Sequence, residues 1–115
     1  MNDLKFPDKF LFGTAVASYQ VEGGIYNNDW TVWENKKNSV CVEPCNEACN
    51  HYELIDEDIN LLKTLGIKAF RFSIEWSRIE PIQGNFNDDE INHYVDKANK
   101  LISNDITPII TFHHF

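Results

Sequence analysis

The sequence predicts an α/β fold in which parallel strands alternate with connecting helices. Short apolar runs occur near the start, the middle and the end of the chain, and turn-forming residues bound each of them. Two segments between these runs repeat their apolar residues at helical spacing, and crossover helices of that length join neighbouring parallel strands. We therefore expect the order strand, long loop, helix, strand, helix, strand.

The first strand is predicted at the apolar run Phe10–Phe12, as a short buried strand. Gly13 and the small residues after it allow the backbone to turn closely. Gln20 and Glu22 follow. We therefore expect both of these polar side chains near the carboxyl end of the strand.

A long loop is predicted from residue 23 to residue 50, where Gly, Asn, Asp and Pro are frequent. Loops of this length often carry functional side chains over a site that the scaffold positions. Trp30 and Trp33 lie within it, and two interpretations of them stay open. They stack on a ring of a bound ligand, or they anchor the loop.

Start and stop signals mark both helices. From His51 to Leu65, apolar residues recur at helical spacing, acidic residues crowd the early turns, and Gly66 follows as a C-terminal stop. The second helix is predicted to begin at the capping sequence 87–90 and to end at Asn104.

The strand between the two helices is predicted at residues 67–74, where apolar and polar side chains alternate. The apolar members are Phe70, Phe72 and Ile74, and the polar members are Arg71, Ser73 and Glu75. Helices on both sides of a strand are typical of a parallel sheet that helices cover on one face. This pattern favours polar side chains of the strand that face a barrel interior or a site. The alternative is an edge strand with its polar face in water.

A third strand is predicted from Pro108 to Phe112, and residues 113–115 follow it as His-His-Phe. Gln20, Arg71 and His114 therefore fall at or just past the carboxyl ends of three successive strands. In a (β/α)8 barrel, the site is built at these ends. The sequence thus predicts the beginning of such a barrel, with a site at this edge.

The charge of the chain limits its partners. Eighteen acidic residues against 10 basic ones give a net charge of −8, and nucleic acids or anionic membranes require a basic surface. The charge is compatible with small neutral substrates. The first residues contain no apolar stretch typical of a secretory signal or a membrane span, so we expect a cytoplasmic protein.

Three cysteines, Cys41, Cys45 and Cys49, occur in one short segment just before His51. An odd number of cysteines favours free thiols in a reducing compartment over a disulfide framework. Zinc sites usually pair their cysteines in two separated couples. A metal or redox module is therefore the last-ranked alternative, and we expect neither a metal nor a cofactor.

The opening F-P-x-x-F-x-F-G-x-A-x-A-S-x-Q-x-E-G, residues 6–23, resembles the N-terminal signature of glycoside hydrolase family one, the β-glucosidase and β-galactosidase family. The resemblance continues in family order through Trp33, 48–52, 57–59, 65–74, Trp76, Arg78, Ile79, Pro108 and 111–115. Asn50 and Phe115 depart from many relatives, which carry Asp and Trp at these positions. We interpret the second departure, which would alter stacking beside a sugar, as subgroup variation, and we expect neither departure to remove the fold.

This resemblance implies that residues 1–115 form the N-terminal part of a (β/α)8 TIM barrel, truncated after the third strand. It also implies a retaining β-glycosidase that hydrolyses terminal nonreducing β-linked sugars. A small carbohydrate would be the partner, and the oligomeric state is not predicted. Two alternatives stay open: a fragment of a 6-phospho-β-glycosidase, and a noncatalytic module for sugar binding or protein interaction.

The resemblance also assigns expected roles to single residues. Gln20 would hydrogen-bond hydroxyls of the nonreducing-end sugar, which its amide suits because it offers both a donor and an acceptor. His114 would contact the same sugar ring from the end of the third strand. Arg71 would lie near the catalytic nucleophile and hold that carboxylate in its ionised form. Trp33 and Glu22 would be supporting positions.

No catalytic residue is predicted within the chain. The two glutamates of the family stand in Asn-Glu-Pro and Glu-Asn-Gly contexts, and the sequence contains neither of them. Retaining glycosidases need two carboxyls about 5 Å apart across the scissile bond. Glu22 and Glu75 are a weak alternative pair, because each is expected near a strand end.

Overall fold

The computed structural model describes residues 4–114, and these form a three-stranded parallel sheet with helices between the strands. In chain order the elements are β1 (Gly13–Ala15), α1 (Ser18–Val21), α2 (Asp29–Glu34), α3 (Ile55–Thr64), β2 (Ala69–Ser73), α4 (Trp76–Ile79), α5 (Asp88–Ser103) and β3 (Thr107–Thr111). The order across the sheet is β1-β2-β3, so β2 is central. The predicted α/β architecture is confirmed.

The first strand is shorter than predicted and begins after the aromatic run. Phe10 and Phe12 are about half exposed and pack with Phe6, with ring centroids 4.7–4.9 Å apart. The prediction of a buried strand at Phe10–Phe12 is therefore wrong, because these rings cover one another instead of packing under a helix. Pairing begins at Gly13, opposite Ala69.

The core lies between β2 and the two longer helices. It contains Ile55, Ile59 and Leu62 of α3, Phe70 and Phe72 of β2, and Tyr94, Leu101 and Ile106 of α5 and the residues after it. The face that β2 turns toward the helices is the apolar one, as the alternation predicts. The sheet is thereby covered on one side.

Helix α3 begins four residues later than predicted, at Ile55. His51 lies in a turn before it, where its ring is buried and its Nδ1 contacts the Asp58 carboxylate. Leu65 follows the last helical residue and is largely exposed, so it is not part of the core. Local periodicity overestimated the helix because the buried turn continues its apolar pattern.

Helix α5 matches its prediction closely. The side chain of Asn87 accepts hydrogen bonds from the backbone amides of Asp89 and Glu90, which caps the first turn. Strand β3 begins at Thr107, one residue before the predicted start, and Phe112 lies beyond its end. Among the described residues, no helix is long and apolar enough to cross a bilayer.

Replacing Leu101 by Ala should lower the free energy of unfolding by about 2–5 kcal/mol, because this fully buried side chain would leave a cavity between α5 and the sheet. Ile102→Ala is the matched control, since Ile102 is 59% exposed on the same helix. Urea unfolding followed by circular dichroism measures both. Equal losses in the two variants would contradict the described core.

Replacing Gly23 by Ala should destabilise the chain far more than Gly66→Ala. Both glycines have positive φ, 78° and 71°, so both substitutions carry a similar backbone strain. A Cβ on Gly23 would come within 2.2 Å of the Glu47 carbonyl oxygen, whereas no described atom lies within 4 Å of one on Gly66. Thermal melts of the two variants test this, and equal melting temperatures would refute the close approach.

Candidate functional site

A cleft of about 410 Å³ opens at the carboxyl ends of β2 and β3. Residues 27–30, which include the start of α2, also line it. The residues that line it are Ser18, Tyr19, 27–30, 73–77, Glu80, Pro81 and 112–114. Hydroxyl, amide, carboxylate, imidazole and indole groups therefore meet in one concave space of the size that small ligands occupy.

A network of hydrogen bonds forms the floor of the cleft. The backbone amide of Ser18 donates to Ser73 Oγ at 2.7 Å, and Ser73 Oγ donates to Ser18 Oγ at 3.1 Å. Ser18 Oγ donates in turn to Glu75 Oε2 at 2.9 Å. All three residues are buried, so the start of α1 is fixed directly to the end of β2.

Aromatic residues form part of the wall. Tyr19 stacks on Trp30 with ring centroids 6.4 Å apart, and Trp30 meets Trp33 edge-on at 5.2 Å. Trp30 lines the cleft, whereas Trp33 does not. The two tryptophans pack on each other, which supports their role as anchors of the loop, and Trp30 also presents an aromatic surface to the cleft.

The predicted site residues lie in different surroundings. His114 lines the cleft, together with His113. Gln20 lies exposed on α1, and Arg71 is partly buried on β2, where its Nη1 donates to the Val16 carbonyl at 3.0 Å. Neither lines the cleft of the described residues, so the roles of Gln20, His114 and Arg71 remain predictions. The predicted stacking position Phe115 lies outside the described residues.

Glu22 lies behind the cleft in a buried cluster of charges. Its carboxylate is 3.3 Å from Arg78 Nε and 4.0 Å from Lys97 Nζ, and it accepts hydrogen bonds from Tyr94 Oη at 2.9 and 3.1 Å. The guanidinium of Arg78 also lies over the ring of Tyr52, 4.1 Å from its centroid. This cluster connects α1 to α5 and to the segment after β2.

Burial determines the ionisation of this cluster more than pairing does. It raises the pKa of Glu22, against the opposing influence of Lys97 and of the Tyr94 hydrogen bond. It lowers the pKa of Lys97 to about 8, although Glu22 opposes this. Desolvation therefore outweighs the attraction between the two groups at their 4.0 Å separation.

Glu22 and Glu75 do not flank one open position. Only Glu75 lines the cleft, and Glu22 is 1% exposed within its cluster. Both carboxylates are engaged by donors from the protein itself. This arrangement gives no support to the alternative that they form a catalytic pair.

The cysteine segment is separate from the cleft. Cys41 and Cys45 are partly buried, Cys49 is exposed, and all three are free thiols. Within residues 4–114, no group of three or more His, Cys, Asp or Glu side chains is arranged to hold a metal ion.

Sequence reasoning missed Ser18, Asn28 and the buried Lys97. Ser18 and Asn28 stand in segments without a periodic signal, and their partner Glu75 is 57 and 47 residues away. A signal for Lys97 did exist: it lies three residues after Tyr94 and four before Leu101, on the buried face of α5.

The fold is that of the N-terminal part of a barrel glycosidase, as two solved structures show. The solved β-glycosidase from Pyrococcus horikoshii is 45% identical, with a TM-score of 0.88 over 96% of this chain and 26% of its own. The β-glucosidase from Thermotoga maritima in complex with castanospermine is 37% identical, with a TM-score of 0.88 over 96% of this chain and 27% of its own. The described sheet therefore corresponds to the N-terminal part of a (β/α)8 barrel.

The chain belongs to glycosyl hydrolase family 1, whose family model matches residues 2–115. Among curated relatives, Myrosinase 1 from Brevicoryne brassicae is 38% identical over 98% of this chain and 26% of its own length. The chain thus spans about a quarter of the relatives that it matches. The resemblance that the signature residues indicate is confirmed.

The lowered pKa of Lys97 predicts a specific pH dependence of stability. Between about pH 8 and the ordinary lysine pKa of 10.5, the unfolded chain binds more protons at this position than the folded chain. The free energy of unfolding of the wild type should therefore rise relative to that of Lys97→Met as the pH increases from 7.5 to 9.5. Urea unfolding at several pH values measures the difference, and two parallel profiles would contradict the prediction.

Proposed function

We propose that this chain supplies the N-terminal part of the glycone-binding surface of a retaining β-glycosidase that acts on terminal β-linked sugars. The observation that carries the proposal is the polar and aromatic cleft at the carboxyl ends of β2 and β3, in a member of this family. Barrel enzymes build their sites at these strand ends.

The groups that line the cleft suit a sugar. Sugar hydroxyls both donate and accept hydrogen bonds, and amide, hydroxyl and imidazole groups can match them. Asn28, Ser77 and His114 provide one example of each, and Trp30 provides an apolar aromatic surface. Gln20 is expected to add a second amide, although it lies outside the cleft of the described residues.

The chain by itself is proposed to bind without cleaving. Retaining hydrolysis needs one carboxyl to attack the anomeric carbon and a second, about 5 Å away, to protonate the leaving oxygen. Glu75 is engaged by Ser18 and Ser77, and Glu22 lies outside the cleft. The proposal therefore assigns the two catalytic glutamates to residues outside these 115.

The charge of the cleft favours a plain sugar over a phosphorylated one. Its lining includes Asp29, Glu75 and Glu80, and no Lys or Arg among the described residues. Phosphate recognition relies on cationic groups or clustered backbone amides. The cleft of this chain by itself therefore favours a plain sugar, and the 6-phospho-β-glycosidase alternative stays open because its phosphate-binding residues would lie outside these 115 residues.

The chain should show no turnover of an aryl β-glucoside above the level of its Glu22→Gln and Glu75→Gln variants, because it lacks the catalytic pair. Release of the chromogenic phenol measures this. A rate that the wild type shows and both variants lose would contradict the proposed absence of the pair.

Isothermal titration should detect binding of glucose and at least tenfold weaker binding of glucose 6-phosphate, a difference of about 1.4 kcal/mol or more, since like charges repel within the cleft. Asp29→Asn removes one carboxylate from the cleft and should reduce the difference between the affinities for the two sugars. Equal affinities would overturn the preference for a plain sugar. Binding of neither sugar would overturn the proposal that this chain holds a sugar by itself.

A further inference from the structure

We propose that Glu75 is a positioning residue of this site: it fixes the short helix that carries Gln20 against the end of β2. The inference rests on the proposed function, since it concerns the same sugar site. Glu75 acts in it through other residues and does not act on the sugar.

Both oxygens of Glu75 accept hydrogen bonds from three separate segments. Ser18 Oγ of α1 donates to Oε2 at 2.9 Å. Ser77 of α4 donates to Oε1 through its Oγ at 2.7 Å and its amide at 3.3 Å. Asn28, which caps α2, donates to Oε1 from its Nδ2 at 3.5 Å. One carboxylate that is 7% exposed therefore joins α1, α2 and α4.

Helix α1 depends on contacts of this kind. It has only four residues, and no side chain caps its start at Ala17. Helices of this length are not stable by themselves in water. Its first residue, Ser18, is held by Ser73 through its amide and by Glu75 through its hydroxyl. These two attachments fix the start of α1, and Gln20 lies two residues further on, while the amides of His51 and Tyr52 donate to the Val21 and Glu22 carbonyls at its other end.

The backbone of Glu75 is fixed from the opposite side. Its amide donates to Tyr94 Oη at 3.1 Å, and that hydroxyl donates to the Glu22 carboxylate. Glu22 directly follows α1 as its C-cap residue. Both ends of α1 are thus connected to Glu75, one directly and the other through Tyr94 on α5.

A carboxylate is required at position 75 because a glutamine has only one accepting oxygen. If that oxygen accepts from Ser18, the amide nitrogen faces the amide of Ser77 and the Nδ2 of Asn28, which are donors. If the side chain is reversed, the bond from Ser18 loses its acceptor. Glu75→Gln therefore keeps the size of the side chain and removes at least one attachment.

Glu80→Gln is the matched control. Glu80 lines the same cleft and carries the same charge, but its carboxylate accepts from Trp76 Nε1 and the Gly84 amide, within its own turn. The control reproduces the change of charge in the cleft and leaves the attachments of α1 in place.

The first measurement is amide hydrogen exchange of the 115-residue chain by NMR. Glu75→Gln should raise the exchange rates of the Ser18, Gln20 and Glu22 amides about tenfold, corresponding to the loss of one hydrogen bond to a charged group. The amides of α5 should be unchanged, and Glu80→Gln should leave α1 protected. Unchanged exchange of α1 in Glu75→Gln would overturn the proposal.

The second measurement is a double-mutant cycle on the affinity for castanospermine, which the solved Thermotoga maritima relative contains. Glu75→Gln should weaken binding about fivefold in the wild-type background and have no effect in the Gln20→Ala background, because the effect passes through Gln20. Equal losses in both backgrounds would overturn the role of Glu75 in positioning Gln20.

The outcomes separate this inference from the proposed function. The wild-type chain could fail to bind castanospermine while exchange of the α1 amides rises in Glu75→Gln and not in Glu80→Gln. That result would support the attachment of α1 by Glu75 and contradict the sugar site. If Glu75→Gln binds castanospermine as tightly as the wild type does, the result supports the sugar site and contradicts the positioning role of Glu75.

Discussion

The two faces of β2 have different roles. One face packs in the hydrophobic core, and the other belongs to the proposed binding site. Phe70 and Phe72 point into the core beneath the helices, whereas Arg71 and Ser73 point to the other face of the sheet. Because side chains alternate along a strand, a shift of one residue would place both phenyl rings on the polar side. The burial of these rings therefore fixes the position of Ser73 and of the residues after it.

Polar contacts extend this arrangement to the cleft. Ser73 and Glu75 hold the start of α1, and Glu22 at its end is held by Tyr94 and Arg78. A buried charge cluster contributes little net stability, but removing one partner leaves the others unpaired in a region of low dielectric. The cluster behind the cleft therefore restrains the geometry of α1 more than it stabilises the fold.

Periodic signals in the sequence were sufficient for β2 and for α5. The alternation along β2 and the Asn87 cap are local patterns, and each can be recognised within a few residues of sequence. The start of β1 was not predictable in this way, because its extent is set by pairing with Ala69, more than fifty residues away. For the same reason, hydrophobicity suggested a buried strand at Phe10–Phe12, where the rings instead cover one another.

The candidate site was predictable only in outline. The carboxyl ends of the strands indicated its location, and His114 does line the cleft. The hydrogen-bond network at the floor of the cleft could not be predicted from the sequence. Its residues Ser18 and Ser73 are 55 residues apart, and no spacing rule predicts the hydrogen bond between them. Such contacts depend on the assembled sheet, and the structure is needed to identify them.

The central claim is that the strand ends of this chain form a sugar-binding surface, and mapping a sugar on the backbone amides tests it most directly. In a two-dimensional NMR titration of the labelled chain with glucose, the account predicts saturable shift changes at Asn28, residues 73–77 and His114. The amides around Cys49 and His51 should not shift, because they lie outside the cleft. Shifts confined to that second region, or absent from the strand ends, would contradict the account.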